Sequence, residues 1–273
     1  MERQHSFAPS ERRPTPFMGW LRALGRTSET VLENAGGIGV LSWQIASALG
    51  RLRVSGREVV SQVYIMGIQS LPIVLVTASL AGIVTSQQGG YQFQGNVPLY
   101  VLGSLVVQTM VLEMGPVLTA IVLVGRVGAR ITAELGTMVV SEQIDAYYSL
   151  GRDPVAILVA PRVLAGVIAM PILVAVADMV GILVGMFAAK LTTGLGYESF
   201  LYGARLFWHS WDLLYSLTKA LAFGLAIPLI STYMGLRTGG GAAGVGRQTT
   251  AAVMFMILTV LILDAMFPPL MLQ

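Results

Sequence analysis

Five long apolar runs separated by short polar connections dominate the chain. An α-helix rises about 1.5 Å per residue, so roughly 20 apolar residues cross the hydrocarbon of a bilayer. A helix also satisfies its own backbone there, which an open strand cannot do. The runs predict membrane-spanning helices over about residues 60–85, 99–124, 163–189, 213–236 and 249–267. Pro268-Pro269 is expected to stop the last of them. Residues 1–16 are polar and rich in Pro and Arg, and read as a mobile cytosolic tail. Residues 17–58 form an interfacial region that begins with an amphipathic helix. Thr15-Pro16 supplies its cap and first turn, and Phe17, Trp20, Leu21, Leu24, Val31 and Leu32 share a face opposite Arg22, Arg26, Glu29 and Glu33. Gly36-Gly37 is expected to end it. The predicted fold is an all-α integral membrane protein, an N-terminal amphipathic interfacial helix plus five transmembrane helices.

The connection between the second and third runs departs from this simplicity. Residues 125–161 are polar although both neighbours are apolar. Ser141 is placed to cap a short helix with an acidic first turn, Glu142 and Asp145, which complements the helix dipole. Gly151 is placed to end it, with Pro154 following. Ile144, Tyr147, Tyr148 and Leu150 give this helix a mixed apolar and aromatic surface. Such a helix is either an ordinary amphipathic loop helix or one that fills a groove on a partner.

Composition supports the bilayer and excludes several chemistries. Charged residues make up 11% of the chain and hydrophobic ones 55%, whereas soluble domains carry about 25% charged residues. There is no cysteine, so thiol and disulfide chemistry are excluded, and the only histidines are His5 and His209. His209 falls among the aromatic residues of 197–211, a headgroup belt, and reads as interfacial rather than as a ligand. Eight of the seventeen Lys and Arg residues precede residue 58, and the flank lacks the apolar core of a cleaved leader. This basic flank marks the cytosolic side of a first span rather than a nucleic-acid site. Placing it inside puts fourteen Lys and Arg in cytosolic segments, two outside and one within the fourth run, which predicts an N-in, C-out topology.

Charges inside apolar runs are the candidates for function, because each costs about 2.5–3.5 kcal/mol at a helix centre. Glu113, Asp178, Lys219 and Asp264 occupy such positions. Gly115-Pro116 after Glu113 is expected to kink the second helix or open its hydrogen-bond ladder. Glu113 either faces a cavity and adjusts its polarity, or pairs with Lys219; Lys219 and Asp264 can alternatively snorkel outward. Gly181 and Gly185 allow close helix approach, read here as internal packing. Gly241 to Gln248 has P-loop spacing, but Arg247 and Gln248 replace the lysine and the magnesium-binding hydroxyl, so no nucleotide site is expected.

Glu113-Met114-Gly115-Pro116, Gly125-Arg126-Val127-Gly128, Ala133 to Met138, Glu142-Gln143-Ile144-Asp145, Pro161-Arg162, Gly246-Arg247, Thr249-Thr250 and Asp264 follow in order along the chain. In this the chain resembles the MlaE/YrbE family of ABC-transporter permeases, including the phospholipid permease of Mla systems. The resemblance implies a permease domain over residues 59–273 and a multi-pass protein of the bacterial inner membrane. It also implies a homodimer with cytosolic ABC ATPase subunits, a periplasmic MCE-domain protein and a STAS-domain protein. The permease itself would be non-catalytic and without cofactor, ATP and Mg being held by the ATPase. The segment from Glu134 to Leu150 would be the coupling helix, with Glu134, Glu142, Asp145, Tyr148 and Leu150 contacting the ATPase. Leu80, Ile83, Val84, Gln87, Tyr91 and Glu113 are the candidates for the lipid pathway. The expected activity is movement of phospholipid between the inner membrane and the MCE-domain carrier, contributing to outer-membrane lipid asymmetry. Alternatives are an Mce-type permease for sterols or hopanoids, and a proton-coupled transporter using Glu113, Asp178 and Asp264.

Overall fold

The computed structural model describes residues 36–51, 54–93, 95 and 97–271. The expectations for the tail and for the amphipathic helix up to residue 35 lie outside the described residues. The chain divides into two compact units, residues 1–41 and 42–273. In the first, residues 36–41 are helical, Gly36-Gly37 included. Glycine tolerates helical dihedrals at a cost of about 1 kcal/mol, and no proline follows to enforce a stop.

The second unit holds five helices long and apolar enough to cross a membrane: α1 (Gly56–Gln92), α2 (Val101–Val140), α4 (Val155–Thr193), α6 (Ser210–Leu236) and α7 (Gly241–Met271). Two shorter helices, α3 (Gln143–Ser149) and α5 (Tyr197–Leu206), lie between them. All five predicted spans are present, and three of them extend at both ends. The largest difference is α2, which continues past Val124 to Val140. The polar stretch 125–140 keeps a helical period: Ile131, Thr132, Leu135 and Gly136 are buried along one face. At the other end of the chain, α7 runs through Pro268-Pro269 to Met271. Two prolines remove donors from the ladder, yet the carbonyls they orphan lie in the last turns, where a helix frays in any case.

Small residues decide how these helices meet. α4 packs along α1 on one side and α6 on the other. At Gly82 of α1 a Cβ would sit 2.0 Å from the Gly181 carbonyl oxygen of α4. At Gly166 of α4 it would sit 2.4 Å from the Gly224 carbonyl of α6. Gly185 also faces Gly82, so the small pair in the third span packs internally. The fourth span is the most enclosed, while the first and fifth are the least. Hydroxyls on the spans bond back to their own helix, as Thr77 does to the Ile73 carbonyl at 3.0 Å and Ser79 to that of Leu75 at 2.7 Å.

Candidate functional site

The connection between α2 and α4 turns twice. Ser141 does not cap α3; its Oγ donates to the Thr137 carbonyl at 2.8 Å and so closes α2 instead. Glu142 takes the capping position with φ 59°, the one left-handed non-glycine residue among those described. Only Ser141 and Glu142 link the two helices, so one of them must leave helical dihedrals to start a new axis. Gly151 ends α3 as predicted, at φ 69°. Its N–H donates to the Tyr148 carbonyl at 2.9 Å and that of Arg152 to Tyr147 at 3.0 Å, a Schellman turn. Glu142, Asp145, Tyr148 and Leu150 all lie exposed on this short helix and its ends, whereas Ile144 is buried. Tyr148 is 61% exposed and Leu150 75%.

Glu134 does not join them. It sits on α2, and its two carboxylate oxygens accept from Arg130 Nε at 2.8 Å and from Arg162 Nη2 at 3.2 Å. The first partner is one helical turn away and was legible from spacing. The second is on α4, 28 positions distant, and only the tertiary fold reveals it. Arg162 is buried, and its Nε and Nη1 have no partner among the described residues.

A second constellation lies among the spans. Pro116 has no N–H, so the α-helical partner of the Leu112 carbonyl is missing. The helix responds with a π turn at Met110–Met114, in which the Gly115 N–H reaches back to Met110. Lys219 of α6 then fills the gap: its Nζ donates to the Leu112 carbonyl at 3.0 Å and to Glu113 Oε2 at 2.8 Å. Asp264 Oδ1 of α7 lies 2.5 Å from the same nitrogen. Lys219 is fully buried, so neither it nor Asp264 snorkels outward. The expected opening of the ladder before Pro116 is therefore present, and the Glu113–Lys219 pair is one of the two roles left open for Glu113. Asp178 is apart from this pairing. Its Oδ2 accepts from Ser216 at 3.1 Å, and its Oδ1 lies where a Cβ on Gly115 would fall.

The remaining pathway candidates sit on α1. Leu80, Val84, Gln87 and Tyr91 are exposed, and their spacing of four, three and four residues puts them on one face. Ile73 and Val76 extend that stripe, and Ile83 is half-buried beside it. Gln87, Gln88, Tyr91 and Gln92 border a groove of about 410 Å³ at the C-terminal end of α1. Glu113 is held by Lys219 rather than by any residue of this stripe.

Two further expectations concern ligands. Among the described residues no three His, Asp or Glu side chains cluster as metal ligands. Gly241 to Gln248 forms the first turns of α7 and follows another helix, α6, so the strand that leads into a P-loop is not there. His209 stands just before α6, its backbone N–H donating to the Asp212 carboxylate at 3.3 Å.

Five long apolar helices, a charge cluster around a buried lysine and a polar helix between spans are those of a multi-pass transmembrane protein. Residues 59–269 match the family model described as Permease MlaE, and the chain belongs to that family. This makes it an inner-membrane subunit that carries no catalysis of its own. A probable ABC transporter permease of Rickettsia felis is 34% identical over 240 residues, covering 88% of this chain and 93% of the relative. One from Synechocystis is 37% identical over 221 residues, 81% of this chain and 84% of the relative. One from Porphyra purpurea is 37% identical over 210 residues, 76% and 80% respectively.

Proposed function

We propose that this permease moves phospholipid between the inner membrane and a periplasmic MCE-domain carrier. It acts as a homodimer, N-in and C-out, on two cytosolic ATPase subunits, with a STAS-domain protein as a further partner. In this reading acyl chains lie along Ile73, Val76, Leu80 and Val84, while Gln87 and Tyr91 meet the headgroup at the periplasmic end. ATP-driven closure of the partner presses on α3, and α2 carries the displacement to Glu113. The buried charge cluster then adjusts the polarity of the path in the dimer.

The observation that supports this most is the surface of α3. Tyr148 and Leu150 expose apolar area on a water-facing helix beside Glu142 and Asp145. Fully burying a Leu side chain is worth about 1.5–3 kcal/mol, so such a patch favours a partner that covers it. Reconstitution with the ATPase and an MCE-domain acceptor tests the proposal by following labelled phospholipid. Transport should require ATP, and the Glu142→Arg/Asp145→Arg pair should retain membrane insertion but lose transport at least tenfold. Transport driven by a pH gradient without the ATPase, or undiminished in the double variant, would overturn it.

A further inference from the structure

We infer that the cleft between α1 and the cytosolic half of α2 binds the phosphate of an anionic lipid headgroup. The inference rests on the N-in reading for its leaflet, but on neither transport nor ATPase docking. Gln62, Ile65 and Met66 of α1 face Arg126, Val127, Arg130, Ile131 and Glu134 of α2 across a cavity of about 50 Å³. A water needs roughly 10–15 Å³ of such space, so the cavity holds a small polar group but no acyl chain or nucleotide.

Its charge is unbalanced. Arg126 is exposed, on the π turn Val124–Gly128, and makes no hydrogen bond or ion pair with any described residue. Arg130 commits only its Nε, to Glu134, and its side chain is 51% exposed. Arg162 shares that single carboxylate from behind. Three guanidinium groups therefore meet Glu134 and, more distantly, Glu58 of α1, whose charge acts on Arg162, so the cluster keeps a net positive charge. Glu134 also borders a neighbouring groove of about 430 Å³ with Ala133, Thr137, Met138 and Arg162, whose lining is otherwise largely apolar.

A lipid fits this arrangement better than a protein carboxylate does. Ile121 and Met114 are exposed on the same helix, further into the membrane than Arg126, and offer an apolar track for an acyl chain below a bound phosphate. Basic pockets between membrane helices on the cytosolic side are suited to anionic headgroups, and each arginine contributes about fivefold in affinity there. The site is distinct from the proposed transport stripe on Leu80 to Tyr91, toward the other end of α1.

Native mass spectrometry of the full chain from micelles holding equal phosphatidylglycerol and phosphatidylcholine tests this. The wild type should retain phosphatidylglycerol selectively. Arg126→Gln should lower retention about fivefold, and Arg126→Gln/Arg130→Gln by about twentyfold or more. Arg126→Lys should keep most of it, which separates charge from folding. Equal retention by all variants, or no preference for the acidic lipid, overturns the site. Full displacement by excess inorganic phosphate would assign it to a soluble anion instead. Masking of Arg126 that needs the added ATPase, with no lipid effect, would assign it to a protein partner.

Discussion

Lys219 holds two carboxylates and a backbone carbonyl at a depth where a lone ammonium is expensive. Removing it leaves Glu113 and Asp264 without their cation. Breaking a buried pair from one side costs about 3–5 kcal/mol, and less is expected here because the Glu113 side chain is 40% exposed. Lys219→Met should therefore lower the thermal midpoint of the purified protein by several degrees. Adding Glu113→Gln and Asp264→Asn should restore most of it, and a triple variant no more stable than the single one would refute the pairing. Glu113→Ala leaves Lys219 a carboxylate and a carbonyl, so assembly should persist while transport changes. Unaltered lipid movement in that variant would make Glu113 a structural residue only. The acids and the lysine were each conspicuous in the sequence as charges in apolar runs. Which acid meets the lysine was not, because Glu113 and Lys219 are 106 residues apart and rotation about each helix axis decides the partner.

At the scale of elements, contact between α1 and α4 depends on glycine where side chains elsewhere would interdigitate. Gly82→Ala places a methyl 2.0 Å from the Gly181 carbonyl oxygen, and backbone on both sides must move. Overpacking of this kind costs about 1–3 kcal/mol. Gly82→Ala should lower the thermal midpoint measurably, whereas Gly125→Ala, with nothing within 4 Å, should not. Equal midpoints for the two would show that the helices are not seated this closely. The number of spans and the stop at Gly151 were legible, since both follow from local rules of apolar length and glycine conformation. The cap at Ser141 was misread because a serine hydroxyl serves equally well by closing the helix behind it, bonding to Thr137. The reach of α2 to Val140 was hidden for a related reason. Its polar residues mark the edge of the membrane, not the end of the helix.

For the whole molecule, the transport path proposed above runs along the exposed stripe on α1. Exposure within one chain means contact with lipid or with a second copy, and the least enclosed spans are the first and fifth. If the stripe lines the pathway, Val84→Trp should narrow it, reducing phospholipid transfer several-fold in the reconstituted system while leaving ATP hydrolysis by the partner in place. Loss of both together would point to failed assembly instead. The face itself emerges from helical spacing, and only its neighbours required three dimensions. The length of α2 has one more consequence. Its 40 residues extend about 60 Å, and Glu113 lies about 40 Å from Val140 along that rod. A lean of 5° at the Val140 end would displace the charge cluster by about 3.5 Å, more than the length of a hydrogen bond. The π turn at Val124–Gly128 lies between the two, so the stiffness of that turn sets how much of the lean reaches Glu113.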